Sequence, residues 1–204
     1  MATRSIFLTV LLALTAACSN VSSVTRQITA LPAPPDAVAE RNYRVVDVDV
    51  FVPYTLRVSE AHRYYPSADI VWREDPPGDR HLQVLHIMQD AAARATGGLN
   101  GWQDVHVAIE VKRFHSVTEK ALYTVGGVHS IQFMLAVYDA RTGEVIEEPR
   151  LVDASLVANG GRDAVRAKWT GRTPKVRLHD HLAGVIQREL TPPYLYQAPS
   201  FADR

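Results

Sequence analysis

The sequence lacks several features that would assign a class at once: it has a single cysteine, no net charge and no apolar run of membrane-spanning length. One cysteine cannot pair within the chain, which excludes a disulfide scaffold. The 22 basic and 22 acidic side chains cancel, which excludes a disordered polyelectrolyte and a protein that coats nucleic acid. A chain of 204 residues with 47% apolar composition is therefore expected to fold around one core.

Familiar catalytic motifs are also missing from the sequence. It contains no Gly-x-Ser-x-Gly elbow, no His-Glu-x-x-His zinc motif and no Ser-x-x-Lys pair. His179 and His181 are two residues apart on a predicted helix, where their rings diverge and cannot chelate one ion. Asp47 and Asp49 share one face of a predicted strand, as polar residues do on any half-exposed strand. We therefore expect no cofactor, no metal site and no enzymatic activity.

The amino terminus has the composition of an export leader. A positive charge at Arg4 precedes an uncharged apolar run from Ile6 to Ala17, which is the pattern of a secretory signal. This run has 12 residues, whereas a transmembrane helix needs about 20. The leader is therefore predicted to be cleaved rather than to span the bilayer.

The residues before the only cysteine resemble a bacterial lipobox. Thr15 to Ala17 are small and directly precede Cys18, although the leucine that usually lies three positions before the cysteine is here Leu14, four before it. In a lipobox the cysteine sulfur carries the diacylglyceryl membrane anchor. Residues 1–17 are thus interpreted as a lipoprotein signal peptide and Cys18 as the lipidation site. Cleavage that leaves a free thiol is the alternative.

The predicted location follows from that anchor. Ser19, rather than Asp, follows the cysteine and resembles the pattern for delivery to the outer membrane. Two or more acyl chains hold a protein stably at a bilayer. We expect a lipid-anchored protein of the bacterial cell envelope that faces the periplasm, with the outer membrane favoured over the inner. Its expected partners are the membrane, through the lipid on Cys18, and another envelope protein, with no nucleic acid.

Composition divides the rest of the chain into three parts. Residues 18–38 are rich in Ser, Thr, Ala and Pro and are predicted to form the lipidated N-terminus and a flexible tether. Residues 39–190 carry the periodic apolar patterns and are predicted to form a single α+β domain. Residues 191–204 are predicted to form a Pro-rich C-terminal tail.

The apolar periodicity of residues 39–190 predicts a two-layer sandwich. Helical spacing predicts one helix between an Asp79 N-cap and Gly97, and a second helix from Pro174 to Leu190. Alternating patterns predict a mainly antiparallel sheet with both amphipathic helices on one face. The predicted strands are 44–52, with Val46, Val48, Val50 and Val52 on its buried side, then 68–73, 105–112, 131–137 and 144–158.

One candidate site lies where the second predicted strand leads into the first predicted helix. Trp72, Arg73, Asp79 and Arg80 cluster there beside two prolines. In a structural interpretation Asp79 caps the helix, Arg80 pairs with the acid at position 74 or 75, and Trp72 packs inward. In a functional interpretation the corner offers an aromatic anchor and an arginine, both enriched at interface hot spots. The second interpretation makes these four residues a candidate partner-binding site.

A second candidate is the basic segment from residue 162 to residue 177. It holds six cations against one acid, Asp163, and it includes a tryptophan. On a tethered domain such a segment can rest on anionic lipid headgroups, where each cation contributes about 1 kcal/mol. A solvated loop and helix flank is the alternative. The segment's residues are Arg162, Arg166, Lys168, Trp169, Arg172, Lys175 and Arg177.

Four stretches of the chain together resemble a group of short bacterial lipoproteins described only as a domain of unknown function: Val52–Glu60, Ala68–Arg73, Pro77–Arg80 and Gln83–Val84. The resemblance covers about 43–190. The order of tether, strand, helix and hairpin is also similar in architecture to the auxiliary lipoproteins of envelope ABC transporters and of lipopolysaccharide assembly. This likeness implies a non-enzymatic adaptor, and it carries over no active residue.

The sequence is compatible with three functions. The leading expectation is a membrane-anchored envelope lipoprotein that acts as an adaptor or accessory subunit by binding another envelope component. The alternative is a periplasmic carrier or sensor of a small apolar ligand, which requires a deep apolar cavity of about 300 Å³ or more. A hydrolase whose residues only the fold assembles is the third.

Overall fold

The computed structural model describes residues 41–192. The predicted signal peptide, Cys18, the tether and the tail from residue 193 onward lie outside the described residues. In chain order the elements are β1 (Tyr43–Phe51), β2 (Ile70–Val71), α1 (Arg80–Thr96), β3 (Gln103–His115), α2 (Glu119–Leu122), β4 (Gly127–Asp139), β5 (Val145–Asp153), β6 (Leu156–Ala158), α3 (Gly161–Trp169) and α4 (Pro174–Leu190).

The strands form one mixed, mostly antiparallel sheet with the order β1-β3-β4-β5, in which β2 pairs with β3 and β6 pairs with β4. The hairpin of β4 and β5 is antiparallel, as the link around Gly143 predicts. β1 and β2 instead pair with β3 in parallel, because the chain crosses over through α1 before β3 begins. The α+β fold class is confirmed, and the parallel pairs are a feature that the apolar pattern did not predict.

The two long helices begin at the predicted caps. The Asp79 carboxylate accepts hydrogen bonds from the backbone amides of His81 and Leu82 at 2.9 and 3.2 Å. The Thr173 hydroxyl accepts one from the amide of Val176 at 3.3 Å. These bonds satisfy amides that have no partner within the helix. Between residues 41 and 192 no helix has both the length and the hydropathy that crossing a bilayer requires.

The core lies between the helices and one face of the sheet. In β3 and β4 every second side chain is buried against the helices, which is the period of a strand. In α1 and α4 the buried residues recur every three or four positions and form one stripe per helix. The helical core residues are Val84, Ile87, Met88, Ala91, Ala92 and Ala95 of α1 and Leu178, Leu182, Ala183, Val185, Ile186 and Leu190 of α4.

The strand β1 departs from the predicted alternation at one residue. Val46 was predicted to lie on the buried side, but it is 54% exposed. The pairing of β1 with β3 shifts register between Val45 and Asp47, so Val46 lies in a β-bulge. The bulge restores the alternation afterwards, and Val48 and Val50 pack against the core.

Three other predicted boundaries change in the structure. The strand predicted over 68–73 contains only the two residues of β2. The strand predicted over 144–158 is divided into β5 and β6, and Pro149 lies in β5 at the end of the strand order, as expected for an edge strand. The alternative interpretation of the basic segment was a solvated loop and helix flank, but residues 161–169 form a helix of their own, α3.

Candidate functional site

Trp72 is part of the core and not of the surface. Its side chain is 0% exposed, and its ring lies edge-on against Phe114 with the ring centroids 5.6 Å apart. Its indole nitrogen donates a hydrogen bond to the Asp75 carboxylate at 2.7 Å, the kind of partner that a buried tryptophan needs. Trp72 therefore packs inward, and it is not available as the aromatic anchor that the functional interpretation requires.

Arg80 is buried as well, and its predicted partner is wrong. Its Nε donates a hydrogen bond to Glu60 at 2.7 Å, and its Nη1 donates to the Gln83 side chain at 2.6 Å and to the carbonyl of Asp75 at 3.1 Å. The carboxylate partner is thus Glu60, twenty residues earlier in the chain, and not the acid at position 74 or 75. The hydrogen bond from Arg80 lowers the pKa of Glu60. A guanidinium held in this way fixes the loops around α1.

The other two predicted corner residues are also engaged within the chain. Arg73 donates hydrogen bonds to the side chain and to the carbonyl oxygen of Glu60, so this one acid joins Arg73 and Arg80. Asp79 is exposed, and it caps α1 while accepting a hydrogen bond from the Tyr54 hydroxyl at 3.3 Å. Most of the corner's charge is therefore neutralised locally.

A pocket of about 380 Å³ opens beside this network, and Glu74 is one of the residues that line it. Burial raises the pKa of Glu74, against the opposing effect of the Lys168 charge. No hydrogen bond or ion pair reaches the Glu74 carboxylate from anywhere in residues 41–192. A partly buried carboxylate without an ion-pair partner is destabilised in its charged form, even where its oxygens still contact solvent. The pocket is lined by Arg73, Glu74, Asp75, Pro76, Pro77, Arg80 and Glu119.

Only part of the basic segment is free to contact another molecule. Lys175 pairs with Asp75 at 2.5 Å, and Lys168 donates a hydrogen bond to the Tyr123 hydroxyl at 3.2 Å. Arg177 donates to the carbonyl oxygen of Val157 at 3.1 Å. The six cations counted in the sequence therefore do not act together. In the part of the chain that the structure describes, the arginines of the segment that form neither an ion pair nor a side-chain hydrogen bond are Arg162, Arg166 and Arg172.

The structure brings the two predicted sites together. The Lys175–Asp75 ion pair joins the start of α4 to the corner. Burial raises the pKa of Asp75, but the hydrogen bonds from Lys175 and Trp72 lower it overall. The charge of Lys168, near the end of α3, acts on Glu74 in the pocket. The corner and the basic segment are thus neighbouring parts of one charged surface.

Two residues of this site were missed in the sequence. Glu60 lies in the loop between β1 and β2, and no motif marks it as the partner of two arginines. Its only signal is that it falls within a stretch that resembles the lipoprotein group. Glu119 begins the four-residue helix α2, which the apolar pattern did not predict. It lines the same pocket as Arg73 and Arg80, although it lies much later in the chain.

The outer face of the sheet carries a cluster of Asp47, Asp49 and His106. The parallel register places Asp47 opposite His106, whose Nδ1 is 3.9 Å from the Asp47 carboxylate and whose Nε2 is 3.3 Å from that of Asp49. Their ligand atoms lie within 4.8 Å of one another, a donor set that can hold a metal ion. Both aspartates are exposed. The same contacts with the imidazole are therefore also found in a cluster of solvated surface side chains that binds no metal.

A serine and a histidine form a buried pair under β6. The Ser116 hydroxyl is 2.8 Å from Nδ1 of His129, and the two residues are 1% and 0% exposed. Nε2 of His129 has no hydrogen-bond partner among the described residues. The pair lies beside a cavity of about 10 Å³, which has room for a single water molecule. This geometry gives a substrate no access to the hydroxyl.

Fold and site together define the class of the protein: a two-layer α+β domain with an open, charged pocket at one strand-to-helix corner. The profile of a family of unknown function, DUF6778, matches residues 43–203. The chain belongs to this family, and the resemblance to a domain of unknown function is confirmed. No curated protein matches the sequence.

Solved structures with some likeness to the chain come from three bacteria. A protein of Xanthomonas campestris in the DUF330 family is 11% identical, covers 76% of this chain and 87% of its own, and gives a TM-score of 0.43. A hypothetical protein of Chlamydia trachomatis is 17% identical, with coverages of 72% and 95% and a TM-score of 0.38. A candidate lipoprotein of Caulobacter crescentus is 14% identical, with coverages of 52% and 78% and a TM-score of 0.34.

Proposed function

We propose that the protein is a lipid-anchored lipoprotein of the bacterial cell envelope, which faces the periplasm and acts without catalysis as an adaptor. Cys18 carries the anchor, and the pocket beside Glu74 binds a cationic side chain of another envelope protein. The outer membrane is the favoured location because Ser19, and not Asp, follows the cysteine.

The observation that carries the adaptor proposal is the unpaired carboxylate of Glu74. Glu74 is half-buried and is the acid available to a cation that enters the pocket, whereas Glu119 lines the same pocket at an exposed position. A lysine or arginine of a partner supplies both the charge and the donors that Glu74 lacks. A hydrogen bond to a charged group of this kind contributes about 1.5–3 kcal/mol.

The pockets favour this function over the carrier alternative. The pocket beside Glu74 is lined by five charged residues and two prolines, whereas a carrier of apolar ligands needs an apolar lining. The cavity beside His129 holds about 10 Å³, far below the volume of such a ligand.

Site-specific photo-crosslinking in cells tests the adaptor proposal. A photoreactive amino acid at Glu119, an exposed position on the pocket, is expected to give a discrete crosslinked product with an envelope protein. Glu74→Gln in the same chain is expected to reduce this product about tenfold or more, because the amide keeps the shape and removes the charge.

The matched controls use exposed positions away from the pocket. The same photoreactive residue at Lys112, on the outer sheet face, is expected to give no such product, and Glu148→Gln is expected to leave the product at Glu119 unchanged. A product at Glu119 that is equally strong with and without Glu74→Gln would remove the pocket from the proposed function.

A further inference from the structure

We propose that α3 lies on an anionic lipid surface, with Trp169 inserted at the level of the headgroups and Arg162, Arg166 and Arg172 against lipid phosphates. The proposal uses different residues from the pocket, although its biological setting rests on the proposed envelope location.

The outward stripe of α3 has the composition of an interfacial helix. Val165, Arg166 and Trp169 lie three, four and seven residues after Arg162, which places the four side chains on one face of the helix. All four are exposed, whereas Ala164, on the inward face, is buried. The stripe thus alternates cations with apolar side chains and points away from the core.

Trp169 exposes the largest fraction of an apolar side chain on this face. It is 87% exposed, the highest exposure among the large apolar side chains of residues 41–192. Tryptophan has an apolar body and one polar edge, which suits the boundary between headgroups and acyl chains. Val165, one turn earlier, is 41% exposed and extends the apolar part of the same face.

The charge around Trp169 favours lipid phosphate as the occupant. Arg162, Arg166 and Arg172 form no ion pair within residues 41–192, so their charges are available to an external anion. Asp163 is the acid of this segment, which leaves the arginines in excess. Each cation near an anionic membrane strengthens binding about fivefold. Three arginines therefore contribute about a hundredfold between them, and more weakly as salt increases.

The experiment uses the chain from residue 40 onward, which forms one compact unit, so that no acyl chain takes part in binding. Vesicles of 70% phosphatidylcholine and 30% phosphatidylglycerol are compared with vesicles of phosphatidylcholine alone. We expect sedimentation with the anionic vesicles only. In a Trp102→Phe background we also expect a blue shift of the emission of Trp169. The triple variant R162Q/R166Q/R172Q is expected to bind about a hundredfold more weakly.

Two matched controls test whether binding depends on this surface, or only on the net charge of the chain or on any exposed tryptophan. The triple variant R44Q/K112Q/R141Q removes the same charge from other exposed positions and is expected to bind as the unchanged chain does. Trp102 is 74% exposed in the loop before β3, and Trp102→Ala is expected to have no effect where Trp169→Ala weakens binding.

Three results would overturn the proposal: equal binding to neutral vesicles, unchanged binding of R162Q/R166Q/R172Q, or no binding to either vesicle. The last would exclude lipid as the occupant of the exposed face of α3. None of these results depends on acylation of Cys18 or on crosslinking at the pocket, so failure here is distinguishable from failure of the proposed function.

Discussion

Replacing Arg80 by alanine is expected to lower the free energy of unfolding by about 3 kcal/mol, the lower end of the cost of breaking a buried ion pair. The substitution removes the partner of Glu60 and leaves the carbonyl oxygen of Asp75 and the side chain of Gln83 without their donor. Glu60 is about half exposed, with 51% of its side chain accessible, so it regains water and the loss stays near that lower end. Urea denaturation at pH 7 measures the change.

Arg57 provides the matched control for Arg80. Its ion pair with Asp69 is 3.4 Å long and its side chain is 70% exposed, so Arg57→Ala is expected to change stability by less than about 1 kcal/mol. Arg80→Lys keeps the charge without the planar fork and is expected to fall between the two variants. Equal losses for Arg57→Ala and Arg80→Ala would show that the buried network around Arg80 does not hold the corner.

The second large effect is an acid-dependent loss of stability that originates at His129. Burial lowers the pKa of His129 from 6.5 to about 4, and the charges of Arg177 and His181 act in the same direction. Between these two pH values the unfolded chain binds a proton that the folded chain excludes. The free energy of unfolding therefore falls as the pH drops through this window, by up to about 3 kcal/mol.

Urea denaturation at pH 7.0 and pH 4.5 measures this dependence. His129→Gln, which removes the titrating group but keeps a polar side chain for Ser116, is expected to flatten the change between the two pH values. The pKa of His181 is lowered by burial too, so a smaller dependence remains in the variant. His62 is exposed, and His62→Gln is expected to leave the slope unchanged. A slope in His129→Gln as steep as in the unchanged chain would assign the acid sensitivity elsewhere.

The parts of the fold that could be predicted from the sequence are those whose causes are local. Asp79 and Thr173 cap their helices through amides two or three residues away, so the caps are visible in the sequence itself. The bulge at Val46 and the parallel pairing of β1 depend on a strand that begins some fifty residues later, and no local pattern encodes either.

At the corner that the sequence offered as a candidate site, two of the chosen residues have structural roles. Trp72 and Arg80 are typical of interfaces by residue type, yet burial decides their role, and burial depends on Phe114 and Glu60, which are distant in sequence. The residue that we propose to bind a partner is instead Glu74, which follows the predicted Trp72 and Arg73 in the chain. Its lack of a partner becomes visible only when its surroundings are known.

Location is the central claim, and the intact mass of the mature protein extracted from membranes tests it most directly. We expect a chain that begins at Cys18 and carries the added mass of a diacylglyceryl group, and we expect Cys18→Ser to abolish that mass and release the protein from the membrane fraction. A mature chain with an unmodified Cys18, or one that still carries residues 1–17, would contradict a lipid-anchored envelope protein.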